Sequence, residues 1–334
     1  MTRGTRKRPT IVDVAKSAEV SIKTVSRVIN GVSTVDPEMA ARVVASVEAL
    51  GFRRNGMARS LRSHESSSGI GLLIEDIANP FYSAIAAGAA EVALDHNALL
   101  LTASSEEDPQ REQRLLLAMC ERRVDGLLIV PTSAPHGYLK AEIAMGTPVV
   151  CLDRRASDIA GDSIVIDNER GARDAVAHLL ELGHTRIGLL AEHLTISTMQ
   201  HRMVGARAAV AEAGIEIDDA LVATGLHEPH ATAAAIGQML ALRRPPTAFF
   251  CLNNRNTIGA IQELERVGSD AQVAGFDDFE TAHLMPRELT IVSYDMKEIG
   301  RRGAALLFDR LANPNAKRKH VVIPTTLVQR GRGR

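Results

Sequence analysis

Residues 10–31 read Thr10-Ile-Val-Asp-Val-Ala-Lys-Ser-Ala-Glu-Val-Ser-Ile-Lys-Thr-Val-Ser-Arg-Val-Ile-Asn-Gly31, two short amphipathic runs on either side of a break. In the first, Ile11, Val14, Ala15 and Ala18 fall at i, i+3, i+4 and i+7, one apolar face of a helix that Thr10 N-caps. Glu19 to Ser21 predicts a turn. Ser21 then caps a second helix with Val25, Val28 and Ile29 inward and Ile22, Lys23, Ser26, Arg27 and Asn30 on the opposite side. Two short helices joined by a tight turn form a helix-turn-helix, whose second helix enters the major groove of DNA and offers its N-terminal residues to base edges. Lys23 and Arg27, one turn apart, suit guanine O6 and N7 or phosphate, while Ser21, Thr24, Ser26 and Asn30 suit backbone or bases. Asp36-Pro37 caps a third helix with Ala40, Val43, Val44, Val47 and Leu50 inward and Gly51 as its stop.

Charge separates this head from the rest of the chain. The 334 residues carry a net charge of −1, yet residues 1–64 hold 12 Lys and Arg against 5 Asp and Glu, and the remainder holds 27 against 35. Such asymmetry points to a polyanion partner for the small basic part. Apolar residues at 45% and charged residues at 24% are the balance of a globular protein. Cys120, Cys151 and Cys251 are odd in number, far apart and set in apolar runs, so they read as buried free thiols of a reducing compartment. No apolar stretch approaches the ~18 residues of a membrane span, and Met1 to Arg8 leads into no signal-peptide core. The expectation is a cytoplasmic chain with no membrane partner.

The 10–31 run resembles the N-terminal signature of the lactose-repressor (LacI/GalR) family of transcriptional regulators, and Arg54-Asn-Gly-Met-Ala-Arg-Ser-Leu61 resembles that family's hinge. The resemblance implies a DNA-facing set of Thr10, Ser21, Ile22, Lys23, Thr24, Ser26, Arg27, Asn30, Asn55, Ala58 and Leu61. It further implies hinge helices paired between two subunits in the minor groove, with Leu61 wedged between base pairs and Ala58 close to the groove floor. A hinge this short orders only on DNA, because isolated helices below ~12 residues are marginal. Two residues depart from the family pattern. Glu19 stands where the family usually has Gly in the turn, which strains a left-handed backbone by about 1 kcal/mol; Arg54 stands where it usually has Pro.

Beyond Gly69, strand-like runs at 70–75, 99–103, 126–130, 148–152, 164–166, 187–190, 247–252 and 273–275 alternate with amphipathic runs at 81–95, 111–120, 171–182, 200–213 and 232–242. This rhythm predicts right-handed βαβ units and parallel sheets, in two lobes. The expected organisation is a helix-turn-helix domain at 1–54, a hinge and linker at 55–68, and a two-lobed effector-binding and dimerisation domain at 69–334. In fold class this is a small all-α domain joined to an α/β periplasmic-binding-protein-like domain with parallel sheets. The resemblance implies that the chain crosses between lobes more than once, a helix near 297–311 rejoining the first lobe.

No phosphate loop, Gly-x-Gly-x-x-Gly turn, His-Glu-x-x-His or Gly-x-Ser-x-Gly occurs. His227-Glu-Pro-His230 reads as a polar loop entering a helix, since Pro229 disfavours a helical metal pair. Neither catalysis, a metal nor a cofactor is indicated. Open parallel sheets instead bind ligands beyond the carboxyl ends of their strands, and polar residues gather there. Asn79-Pro-Phe-Tyr82, Asp153-Arg154, Asn253-Asn254 and Asp277-Asp278 each follow a strand, and Arg202 sits early in a helix. Carboxylate, guanidinium and amide groups bind adjacent hydroxyls through two atoms, and Phe81 and Tyr82 offer flat apolar faces to sugar C–H bonds. The resemblance carries the family's effector cleft onto Asn79, Phe81, Tyr82, Asp153, Arg154, Arg202, Asn253, Asp277 and Tyr294, with Asn254 where the family commonly has Asp and Tyr294 where Gln often lies. The expected function is sequence-specific DNA binding and repression, as a homodimer on operator DNA, controlled by a small sugar-like effector. The alternative is a carbohydrate-binding or processing protein on the same fold.

Overall fold

The computed structural model describes residues 9–29, 32, 34–50, 69–156 and 158–332 in two compact units, Met1–Ser67 and Ser68–Arg334.

In the first unit, helices span Ile11–Ser17, Ile22–Ile29 and Pro37–Leu50, and local caps start them. Thr10 and Asp13 form a reciprocal capping box, Thr10 Oγ1 accepting from Asp13 N and Asp13 Oδ2 accepting from Thr10 N at 2.7 Å. Ser21 Oγ accepts from Thr24 N at 3.0 Å, and Asp36 Oδ1 from Glu38 N and Met39 N at 3.0 and 3.1 Å. Val14, Val25 and Val43 are fully buried where the three helices meet. Val44, expected inward, is 51% exposed, and Ser46 is buried in its place. On the third helix the inward stripe runs 43, 46, 47, 50, and residue 44 falls about 100° round from 43. Ser46 is tolerated there because Ser17 Oγ hydrogen-bonds it at 3.2 Å. Glu19 does adopt the left-handed backbone, φ 52°.

The second unit starts with β1 (Gly69–Ile74), β2 (Leu99–Ser104), β3 (Gly126–Ile129), β4 (Val149–Asp153) and β5 (Asp162–Ile166) in a first lobe. The chain then crosses to a second lobe holding β6 (Ile187–Leu190), β7 (Val222–Ala223), β8 (Ala248–Cys251), β9 (Gln272–Phe276) and β10 (Leu289–Ser293). It returns through the helix Met296–Ala312 to β11 (His320–Ile323) in the first sheet, and crosses a third time to β12 (Thr326–Arg330) in the second. The sheet orders are β11-β5-β4-β3-β1-β2 and β12-β10-β9-β8-β6-β7. All pairings are parallel except β12 on β10. Central strands covered by helices on both faces read as continuous apolar runs, Gly-Leu-Leu-Ile in β3 and Ala-Phe-Phe-Cys in β8, each buried throughout.

The helices that begin just after the first two crossings are seated by glycines. A Cβ on Gly300 would lie 1.9 Å from Ile85 O, one on Gly88 2.1 Å from Lys297 O, and one on Gly205 2.0 Å from Glu169 O. Backbone therefore touches backbone between the helices Pro80–Asp95 and Met296–Ala312 in the first lobe, and between Asn168–Glu181 and Ser197–Glu212 in the second. The crossings and the strand ends beside them are set by these two helix pairs.

Candidate functional site

The helix Ile22–Ile29 is fixed by fully buried Val25, which leaves Ile22, Lys23 and Arg27 exposed and Thr24 and Ser26 partly so. Its start is rigid: Ser21 Oγ meets Thr24 Oγ1 at 2.8 Å as well as capping Thr24 N. Arg27 Nη2 donates to Thr34 Oγ1, which holds the guanidinium at the surface. Thr10 is exposed, but its hydroxyl is engaged by Asp13 Oδ2 at 2.7 Å, so helix capping occupies it. Asn30, Asn55, Ala58 and Leu61 lie outside the described residues.

In the second unit the strand ends of both lobes converge. Asn79, Phe81, Tyr82, Asp153, Arg154, Arg202, Asn253 and Asp277 line one cavity of about 30 Å³, together with Glu75, Glu192 and Arg255. On the first-lobe side, Arg154 Nη1 donates to both oxygens of Glu107 at 2.8 and 2.9 Å, and its Nη2 donates to Glu75 Oε2 at 2.9 Å. The Tyr82 hydroxyl donates to the same Glu75 oxygen at 2.7 Å. Phe81 lies edge-on to Tyr82, ring centroids 4.7 Å apart. Asn79 Oδ1 caps the helix Pro80–Asp95 through Phe81 N.

On the second-lobe side, Arg202 Nη1 and Nη2 each donate to one oxygen of Asp277 at 3.0 Å, Nη1 also to Leu252 O at 2.6 Å, and Nε to Asn168 Oδ1 at 2.7 Å. The guanidinium carbon sits 3.7 Å from the centre of the Phe276 ring. Tyr294 stands behind Asp277, donating its hydroxyl to Asp277 Oδ1 at 2.5 Å; it is wedged beside the Phe81 and Phe276 rings and does not line the cavity. Asn253 Oδ1 caps the helix Asn254–Val267 by accepting from Asn256 N at 2.8 Å, and its Nδ2 donates to Glu192 Oε2 at 3.1 Å, so both ends of the amide are engaged. Among the described residues two side-chain hydrogen bonds cross between the lobes at the cavity's edge, Asn254 Nδ2 to Asn79 Oδ1 at 2.9 Å and Arg255 Nη2 to Asp76 Oδ2, and Arg255 Nη1 also lies 3.9 Å from Glu75 Oε1. Ligand pockets run from roughly 300 Å³ upward, so entry of a sugar-sized molecule requires these contacts to break and the lobes to part.

Strain concentrates here. Asp153 (φ 66°), Asp277 (φ 70°), Glu106 (φ 54°) and Glu107 (φ 55°) all hold the left-handed backbone that side chains disfavour. Asp153 Oδ1 is buried in the cavity wall with no hydrogen-bond partner, an acceptor aimed where a ligand hydroxyl would reach it. Burial pushes the Asp153 carboxyl up to about 6 despite the pull of Arg154 and Arg202, and burial likewise raises Glu107 to about 6. Between the ordinary carboxyl range and pH 6 the folded chain keeps protons that the unfolded chain has released, so the stability these two groups contribute falls as pH rises through 6. Asp153→Asn is therefore expected to raise the melting temperature over the unaltered chain at pH 7.5 and to keep only about half of that advantage at pH 5. An equal difference at both pH values would show that its ionisation is not opposed.

Of the residues missed by sequence reasoning, Glu75, Glu192 and Arg255, the two carboxyls obey the same strand-end rule that found the others. Glu75 directly follows β1, and Glu192 stands two residues beyond β6. His227, read as loop polarity, shares a 2.7 Å hydrogen bond with Glu192 Oε1. Cys151 and Cys251 are buried and Cys120 half-buried, all three unpaired. Burial raises the Cys120 and Cys151 thiols to about 11. Among the described residues no group of three His, Cys, Asp or Glu side chains is placed to hold a metal, and no helix is long and apolar enough to cross a membrane.

Comparison with known proteins bears on both units. The family model of bacterial regulatory proteins, lacI family, matches residues 10–55, and the periplasmic binding protein-like domain model matches residues 176–331. The ribose operon repressor of Escherichia coli (strain K12) is 32% identical over 327 residues, covering 96% of this chain and 99% of that protein. The HTH-type transcriptional repressor PurR of Mannheimia succiniciproducens is 31% identical over 328 residues, covering 96% and 97%. A crystal structure of the lac repressor dimer bound to operator and the anti-inducer ONPF superposes with a TM-score of 0.82 at 26% identity, covering 96% of this chain and 98% of that one. With a regulator's helix-turn-helix joined to a two-lobed binding domain, and with relatives above 30% identity across nearly its whole length, the chain belongs to the lacI family of bacterial regulatory proteins.

Proposed function

We propose that the chain is a homodimeric repressor that binds a pseudo-palindromic operator through the helix Ile22–Ile29, its affinity set by a small polyhydroxylated effector held between the lobes of the second unit. The carrying observation is the outward set Ile22, Lys23 and Arg27 on a helix whose opposite face is locked by Val25. A helix so fixed presents one apolar and two cationic side chains in constant register, which is what major-groove readout requires. Two-fold symmetry doubles those contacts. Asn55, Ala58 and Leu61 complete the DNA-facing set by resemblance.

The effector reading is supported by convergence on one cavity of carboxyl, guanidinium and aromatic groups from both lobes, and by the unsatisfied Asp153 Oδ1. The relative named a ribose operon repressor fits a sugar in that place. Ligand that bridges the lobes in place of the Asn254–Asn79 and Arg255–Asp76 contacts changes the equilibrium between open and closed lobes. Such a change shifts operator affinity by the difference in ligand affinity between the two states, typically ~1–3 kcal/mol.

Arg27→Ala tests the head. It is expected to weaken binding to the specific operator by ~1–3 kcal/mol while changing nonspecific binding much less. Gel-shift titrations on the gene's upstream region and on a scrambled duplex measure both. Equal losses on the two would make Arg27 a phosphate contact only.

A further inference from the structure

Among the residues lining the cavity and its mouth, carboxyls outnumber guanidiniums by seven to three. The three arginines are already paired: Arg154 with Glu75 and Glu107, Arg202 with Asp277, and Arg255 with Asp76. An anionic ligand entering here meets no guanidinium it can take without breaking one of these pairs. Beside the cavity lies an open groove of about 500 Å³ lined by Glu75, Asp76, Glu106, Glu228, His227 and Arg255.

Glu192 differs from the other buried carboxyls. It is 4% exposed and lines the cavity, yet among the described residues no arginine or lysine pairs with it. Its oxygens accept only from Asn253 Nδ2 at 3.1 Å and from the half-exposed imidazole of His227 at 2.7 Å. Glu192 lines the same closed cavity as the first-lobe carboxyls of Glu75 and Asp153. Like charges brought together in a low-dielectric space disfavour closure unless a cation lies between them. The ligand-directed geometry is independently marked by Asp153 Oδ1, buried in the same cavity and without a partner.

We propose that the cleft takes a polyhydroxylated ligand bearing a protonated amine and no phosphate or carboxylate, with Glu192 as the amine's counter-ion. This rests on the effector-cleft reading above. Asp153 accepts a ligand hydroxyl, the amine sits against Glu192, and closure then brings the carboxyls of the two lobes around a cation rather than around each other. Glu192 is thus the specificity-determining residue, and the excess of carboxyls at the mouth is a filter against sugar phosphates.

The test uses the full chain and matched trios: D-glucose, D-glucosamine and D-glucose 6-phosphate, with the galactose and mannose counterparts. Thermal shift finds the responsive trio and calorimetry measures it. Within that trio the amino sugar is expected to bind about ten- to a hundredfold tighter than the neutral sugar, the range of one charge-assisted hydrogen bond, and the phosphate not to bind. Glu192→Gln, which keeps the shape, should bring the ratio of amino-sugar to neutral-sugar affinity down to about one. A phosphate that binds as well as its neutral parent, or a Glu192→Gln loss equal for both, overturns the proposal while the effector cleft stands. Silence from every trio in a chain that still binds duplex DNA removes both.

Discussion

Arg202→Ala is expected to cost the second unit about 3–5 kcal/mol of stability, the range for removing one partner of a buried ion pair. Arg202 is 2% exposed and Asp277 5%. Deleting the guanidinium leaves Asp277, among the described residues, with the Tyr294 hydroxyl as its side-chain partner, and leaves Leu252 O and Asn168 Oδ1 without the Arg202 donor. Chemical denaturation of the variant measures the loss, and an unchanged midpoint would contradict it. Arg202→Lys should rescue little, because a point-like ammonium cannot span Asp277, Leu252 O and Asn168 at once. The double variant Arg202→Met, Asp277→Leu should recover part of the loss, since replacing both charges removes the uncompensated carboxylate. Read from sequence, Arg202 and Asp277 are ligand-facing groups. In the structure they hold each other within one lobe, so any loss of effector response in Arg202→Ala has to be separated from partial unfolding.

Gly300→Ala should cost about 3 kcal/mol, the upper end for overpacking. Helix propensity alone favours alanine over glycine by ~1 kcal/mol, so the sign of the effect is diagnostic. The added Cβ would sit 1.9 Å from Ile85 O and 2.8 Å from Ala89 N. Both are backbone atoms of a neighbouring helix, and no side-chain rotation relieves the clash. The helices Pro80–Asp95 and Met296–Ala312 must separate, which loosens Ile85, Ala89 and Ala304 in the core between them. Gly237→Ala is the control. Its Cβ would come no nearer than 3.8 Å to the Glu263 carboxylate, so it should be neutral or stabilising. Thermal melts of the two variants side by side decide the matter: equal effects would mean that the close approach at Gly300 is not what seats the helix.

Local features were legible in the amino-acid sequence because their causes are local. Thr10, Ser21 and Asp36 cap the three helices of the head by bonds to residues two or three positions on, and the 3.6-residue repeat placed Val14, Val25 and Val43 inside. The strand-end rule brought Asn79, Asp153, Asn253 and Asp277 to one cavity because a parallel sheet puts all its carboxyl ends on one edge. What the charges do to one another was not legible. Arg154 meets Glu107 and Glu75, 47 and 79 residues away, and Asn253 spends its oxygen on a helix cap that depends on where the helix begins. The strands β7, β10, β11 and β12 also escaped, β7 and β12 for a different reason. Two residues carry no periodicity, and Thr-Leu-Val-Gln-Arg at a half-exposed edge looks like any polar loop until β10 is beside it.

Operator recognition by the head is tested most directly by titrating the full chain, followed by fluorescence anisotropy, against short duplexes tiled across its own upstream region at ~50 and ~200 mM salt. One tile should bind about a thousandfold tighter than the rest, or more, with affinity on every tile falling steeply between the two salt concentrations. Equal affinity for all tiles, or affinity indifferent to salt, would contradict it.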